Sequence, residues 1–478
     1  MSSQRSSVLT IDLGTGSVRA AVIGRDGRII ACASRPHDQE IPFPGWSEQS
    51  PQRWWQEVVA ILAELLQVPG VDTRTLAGLC VCGQMHGPVP IAADGEPLLE
   101  RVQLWNDKRC AGLVAAFARR QDAPAIQTLT GNPAAPSWTA FKVAWLRAHQ
   151  ADVYERAATF LAPKDFINFR LTGVRATDGS EASGSFLLNW QTLDYDDGIA
   201  AALGLDRAKF PPIHPSHQVI GTVTRHAATT TGLPEGLPVV AGGGDFPVAM
   251  LGSGVIAPGM GADITGTSTV IAAYATAPVL AAGLSNLCAV NGGWLPFTTV
   301  DAGGDSLCWA RRVFGEPHME YATVCAMARA VPAGSEELLF LPYLHGERLG
   351  GRSHARAQFF GITERHGKGH FYRAVMEGLA FAARRNLARM RAAGIAFEHL
   401  VASGGGARDP LWLAIKASVY DLPLAVPENT ESGLLGAAAL AGLGTGLYPD
   451  AGTAVAQLIR LRTTVFPEPA LVDYYARL

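Results

Sequence analysis

Two phrases of this chain carry the same chemistry. Ile11-Asp12-Leu13-Gly14-Thr15-Gly16-Ser17-Val18 and Ala262-Asp263-Ile264-Thr265-Gly266-Thr267-Ser268-Thr269-Val270 each set an apolar strand, a Gly/Thr/Ser turn and a second apolar strand in sequence. Glycine lets backbone N–H groups approach an anion closely, and short hydroxyls add further donors. Each turn therefore suits a phosphate. An aspartate beside such a turn, Asp12, is placed to hold a hydrated Mg²⁺ on the β- and γ-phosphates of a nucleotide. An ordinary hairpin with a turn aspartate is the alternative, and the second copy of the phrase weighs against it. Two such turns, one in each half, imply two similar domains gripping one nucleotide.

Three further groups of residues end apolar runs. Gly242-Gly243-Gly244-Asp245 follows the run 237–241, so Asp245 is placed as a general base toward a substrate hydroxyl. The competing role for Asp245 is a helix N-cap ahead of Pro247. Gly83-Gln84-Met85-His86-Gly87 and Trp105-Asn106-Asp107 offer polar groups and an aromatic face to a polyhydroxylated ligand, although a lone His or Trp is more often a satisfied core residue. Ser403-Gly404-Gly405-Gly406-Ala407-Arg408 lies between a strand and a helix, where a flat ligand or phosphate can approach backbone; a tight β–α turn is the simpler alternative. It is no G-x-G-x-x-G fingerprint, and no acidic ribose partner follows, which disfavours hydride transfer.

The elements that must carry these groups alternate between strand and helix. Residues 8–13, 18–23 and 28–33 read as a three-stranded meander with a hairpin at Asp26-Gly27. Ser50 and Pro51 open a helix whose face is Trp54, Trp55, Val58, Val59, Leu62, Leu65 and Leu66, and 76–82 is a buried strand. The second half repeats this coarsely, with strands at 261–263, 270–274, 298–300 and 400–402 and helices at 305–314, 369–392 and 410–420. The pattern is α/β, and 478 residues predict two domains, 1–250 on the sugar and phosphate side and 251–478 on the nucleotide side. A formal charge of −3 gives no reason to expect nucleic acid or membrane as partner. Seven cysteines without a Cys-x-x-Cys pair, and no apolar run of the roughly 20 residues a membrane helix needs, predict a cytoplasmic protein with reduced thiols.

In order and spacing, these phrases resemble the FGGY family of carbohydrate kinases, and within it the xylulokinases, from about Val8 to Leu443. Trp46-Ser47-Glu48-Gln49, Pro163-Lys164-Asp165, Leu341-Pro342-Tyr343, Gly346-Glu347-Arg348 and Phe360-Gly361-Ile362-Thr363 add to the likeness. The resemblance implies two actin-like (ribonuclease H-like) domains with ATP, Mg²⁺ and a sugar in a central inter-domain cleft. It implies that Asp245 takes the proton of the terminal sugar hydroxyl and that Asp12 organises the metal and phosphates. Gly14 and Thr15, with Gly266 and Thr267, would hold phosphates, Gly404 and Gly405 the adenosine, and Met85, His86 and Trp105 the sugar. Asp263 is expected to be structural. A homodimer is left open. Phe246 stands where xylulokinases usually have asparagine, and Arg348-Leu349-Gly350-Gly351 lacks a proline common in relatives. Losing one buried polar contact can shift preference among sugars by orders of magnitude. The expected reaction is phosphorylation of D-xylulose, with a kinase for ribulose, ribitol, erythritol or a deoxy-ketohexose as runner-up. A nucleotide-gated binding protein of the actin and chaperone group is the non-kinase alternative.

Overall fold

The computed structural model describes residues 5–316, 318–347 and 354–478. Arg348 and residues 349–351 lie outside the described residues. The chain forms two compact units. The first comprises residues up to Ile256 together with Asn286–Trp294 and Glu431–Ile459; the second comprises Ala257–Ser285, Leu295–Thr430 and Arg460–Leu478.

In the first unit, β1 (Ser7–Leu13), β2 (Ser17–Gly24) and β3 (Ile29–Pro36) form the meander. α1 (Pro51–Leu65) starts where Ser50 Oγ accepts the Arg53 N–H at 3.4 Å, and it buries Trp54, Trp55, Val58, Ile61, Leu62 and Leu65. Ile61 takes a core place that the sequence pattern gives to Val59. β4 (Leu76–Gly83), α2 (Pro163–Thr172), the short helix α3 (Gly179–Ser183), β5 (Val219–Thr222), β6 (Pro238–Gly244) and α4 (Asp245–Gly252) follow. The sheet order is β5-β6-β4-β1-β2-β3. β1 and β4 are buried along their whole length, as expected of central strands covered on both faces.

The second unit builds its sheet from β7 (Gly259–Thr265), β8 (Thr269–Ala273), β9 (Ser285–Cys288), β10 (Trp294–Val300), β11 (Phe397–Ser403), β12 (Leu424–Pro427) and β13 (Leu461–Val465), in the order β9-β10-β8-β7-β11-β12-β13. Apart from β9, the strand pairing repeats that of the first sheet, although the edge strand follows its partner in the chain here and precedes it there. An antiparallel meander leads to two parallel strands and an antiparallel edge. Its helices are α5 (Gly304–Phe314), α6 (Tyr321–Arg329), α7 (Lys368–Ala392) and α8 (Pro410–Tyr420). α7 is the hub of this core and packs against α5, α6 and α8. No helix among the described residues is long and apolar enough to cross a membrane.

Helix α9 (Ser432–Gly444) belongs to the first unit, where it packs on α4, β4 and β1. The approach is close because Gly252 and Gly436 meet at the crossing. A Cβ on Gly436 would overlap the Val248 carbonyl, and one on Gly252 the Ser432 carbonyl. Overpacking of this kind costs about 1–3 kcal/mol. Gly436→Ala is therefore expected to lower the urea midpoint measurably, and an unchanged midpoint contradicts the crossing.

Candidate active site

β1 ends at Asp12, whose residue is buried. The turn that follows is closed by Gly14 N–H on Ser17 O at 3.0 Å and braced by His37, whose Nε2 lies 2.8 Å from Gly14 O. Arg19 holds one carboxylate oxygen of Asp12 (Nη2 to Oδ2, 2.5 Å) and reaches Glu431 with its other arm at 2.6 Å. Asp12 Oδ1 is buried with no partner. Loss of hydration raises the Asp12 pKa even though Arg19 pulls the other way. A buried acceptor without a hydrogen-bond partner is the feature a water of a hydrated Mg²⁺ would satisfy, so this carboxylate fits that ion.

Asp245 begins α4 directly after β6. Gly244, not Asp245, is the N-cap residue, and Asp245 Oδ1 accepts the N–H of Phe246 at 2.7 Å. The N-cap role for Asp245 is thus displaced by one residue. The chain turns out of the sheet here because β6 carries one extra residue. Val240 pairs with Cys80 and Gly243 with Cys82, while Gly242 takes φ +71° with no room for a Cβ beneath the Val81 carbonyl. Asp245 remains partly exposed. Loss of hydration, and then the Asp12 carboxylate, push its pKa up to about 7.

The turn after β4 packs against Gly244, the residue before Asp245. A Cβ on Gly244 would meet Met85 Sδ at 2.5 Å, so Met85 fills the space beside the aspartate. His86 has φ +68°, an uncommon conformation for a residue with a side chain. Its Nδ1 lies 3.0 Å from Gly184 O, and its ring meets Trp138 edge-on at 5.2 Å. Burial, then the Lys142 ammonium, push the His86 pKa down to about 3, so the ring is neutral. A carbonyl only accepts, so Nδ1 carries the proton and Nε2 is an acceptor. Lys142 Nζ donates to the carbonyls of Pro136 and Ser137 and so fixes the loop that presents Trp138. Trp105 is half-exposed and donates from Nε1 to Thr15 Oγ1 at 3.0 Å, which ties the aromatic residue to the first phosphate-type turn. Asp107 is wholly buried and accepts from Ser47 N and from Arg109, a structural role.

In the second unit Asp263 contrasts with Asp12. Its Oδ1 accepts from Thr265 Oγ1 at 2.6 Å and from Lys416 Nζ at 2.8 Å, and its Oδ2 from Tyr420 at 2.7 Å. Both oxygens are engaged, so Asp263 is structural. Gly266, Thr267 and Gly405 line a cavity of about 300 Å³ together with Tyr321, Cys325, Asp409 and Trp412. Gly404 lies beneath it at φ +76°, with the Thr265 carbonyl 2.5 Å from where a Cβ would stand. A small, largely apolar cavity beside a glycine turn is suited to a flat base and ribose.

Sequence reasoning missed several members. Glu181 on α3 is buried with both carboxyl oxygens unpartnered, and loss of hydration, then Asp165, raise its pKa well above the usual range. Its only sequence signal is a charge in a small-residue run. Trp138, Tyr321 and Trp412 carry no local motif at all.

Residues 7–252 match the family described as FGGY family of carbohydrate kinases, N-terminal domain, and residues 261–445 match its C-terminal domain. The xylulose kinase of Bacillus subtilis (strain 168) is 31% identical, over 98% of this chain and 95% of that protein. The crystal structure of xylulose kinase from Rhodospirillum rubrum aligns with a TM-score of 0.92 at 30% identity, covering 98% of this chain and 96% of that one. Gluconate kinase from Lactobacillus acidophilus aligns with a TM-score of 0.91 at 26% identity, covering 99% and 96%.

The two aspartates predict opposite phenotypes. Asp263→Ala strands the Lys416 ammonium in the core, a loss of about 3–5 kcal/mol, and should lower the melting temperature strongly. Asp12→Asn should leave melting nearly unchanged while removing activity. Equal melting shifts in the two variants would contradict the contrast.

Proposed function

The chain belongs to the FGGY family of carbohydrate kinases, and on that premise we propose that it passes the γ-phosphoryl group of ATP to the terminal hydroxyl of a ketopentose, turning D-xylulose into D-xylulose 5-phosphate. The observation that carries the proposal is Asp245, a partly exposed carboxylate with a pKa near 7 at a strand end, directly after Gly244, against which Met85 packs. Phe246 N–H fixes its Oδ1, and the carboxylate takes the hydroxyl proton as the sugar oxygen attacks the γ-phosphorus. The new O–P bond forms, the bond from the γ-phosphorus to the bridging oxygen breaks, and ADP leaves. His86 Nε2 accepts from a second hydroxyl and so orients the sugar. Asp12, with its free Oδ1, would hold the Mg²⁺ through water, and that ion supplies charge neutralisation on the phosphates. In the second unit, Gly266, Thr267, Gly404 and Gly405 are the residues assigned to the nucleotide.

D-xylulose is favoured by the likeness to xylulose kinases and by the Met85-His86 pair. One observation keeps a second polyol in play. Phe246 puts an apolar ring where xylulokinases usually carry asparagine, which suits a sugar with a missing or inverted hydroxyl, and a gluconate kinase is also similar. A coupled ADP-release assay over ketoses and polyols is expected to show D-xylulose as the preferred substrate by kcat/KM. A strong preference for ribulose, ribitol, erythritol or a deoxy-ketohexose would overturn that choice.

A raised carboxylate pKa keeps the proton on at acid pH, so kcat/KM should fall tenfold per unit below about pH 7 and level off above it. Asp245→Asn should cut kcat by about 10²–10⁴-fold. A flat profile down to pH 5 with a fully active variant would remove Asp245 from the chemistry.

A further inference from the structure

A buried network grips the bulged end of β6 from behind. Lys164 Nζ donates to Asp165 Oδ1 at 2.5 Å and to the Ala241 carbonyl at 3.1 Å, and it pairs with Asp178 Oδ1 at 3.1 Å. Asn168 Nδ2 donates to the same Ala241 carbonyl at 2.8 Å. Asp178 Oδ2 accepts the Ser180 N–H at 2.9 Å and the hydroxyls of Ser180 at 2.7 Å and Ser216 at 2.8 Å. Having donated its own proton, Ser180 Oγ accepts the Gly244 N–H at 2.9 Å. Lys164, Asp178 and Ser180 are each fully buried.

This network does work that the sheet cannot do. The extra residue in β6 and the positive φ of Gly242 shift the register between Val240 and Gly243, and only two pairs, Gly243 with Cys82 and Gly244 with Gly83, follow before Asp245. Gly244 has no side chain to lock its own backbone, and its N–H is anchored by Ser180. Asp178 in turn orients the Ser180 hydroxyl, because a carboxylate accepts and so leaves Ser180 Oγ free to accept from Gly244.

We propose that Ser180, braced by Asp178, is the positioning residue of the catalytic base: its hydroxyl fixes the Gly244 amide and with it the direction in which Asp245 leaves the strand. The proposal rests on Asp245 being the base. Ser180 itself meets no substrate; it acts through the backbone. Misplacing a reacting group by about 1 Å can cost 10²-fold in rate, so the loss belongs in kcat and not in binding.

The test compares Ser180→Ala with Ser216→Ala in the full-length chain. Both remove a hydroxyl from Asp178 Oδ2, but only the Ser180 hydroxyl touches Gly244. Ser180→Ala is expected to lower kcat about 10–100-fold with sugar and ATP KM within threefold of wild type. Ser216→Ala should stay within threefold in kcat. Should Ser180→Ala fail to fold, Ser180→Cys keeps the volume with a weaker acceptor and must show the same split between kcat and KM. A Ser180→Ala kcat above half of wild type, or an equal fall in Ser216→Ala, overturns the proposal. Asp245→Asn run in parallel separates the two possible failures. An active Asp245→Asn removes the base and this proposal with it, whereas an inactive one beside a fully active Ser180→Ala overturns the positioning role alone.

Discussion

A carboxylate that exchanges a proton near neutral pH has to be held short of full hydration, and sheet register does this here. Asp12 on β1 and Gly243 on β6 both pair with Cys82, from opposite sides of β4. The two acidic side chains therefore leave the sheet at strand ends roughly 10 Å apart, two strand spacings. Burial and the neighbouring charge together hold the Asp245 pKa at about 7. The folded protein thus binds this proton more tightly than the unfolded chain does. Its contribution to stability is complete below about pH 4 and is lost as the pH rises through about 7. The surrounding core must offset that loss at neutral pH.

The same six-strand pairing pattern occurs twice, yet its chemistry has diverged at one position. In the first unit the aspartate at the end of the leading strand keeps a free oxygen; in the second, Lys416, Thr265 and Tyr420 engage both oxygens of Asp263. A neutralised, saturated carboxylate fastens β7 to α8 and cannot serve a hydrated cation. The second turn keeps its glycine and hydroxyls and borders an apolar cavity.

The fold was largely legible because each element obeys a local rule. The apolar run of β1, the Ser50 cap and the face of α1 follow from periodicity and side-chain chemistry alone. The place of α9 was not legible, since helix 432–444 is apolar and small on nearly every side, and only its packing on α4, β4 and β1, with Gly252 and Gly436 at the crossing, assigns it to the first unit. Motifs single out Asp12, Asp245, Met85 and His86, but the differences between similar motifs come from distant residues. Lys416 lies far along the chain from Asp263, and Gly184, which sets the His86 tautomer, lies far from His86. The Gly242-Gly243-Gly244 run signals close backbone approach, though not that Ser180 would hold it.

The most direct test of this account is a ¹³C NMR titration of the Asp245 carboxyl in the full-length protein, with its resonance identified by its loss in Asp245→Asn. The account predicts a midpoint near pH 7 that moves down toward ordinary aspartate values when Asp12 is replaced by Asn. A midpoint near 4, or one indifferent to Asp12, would contradict it.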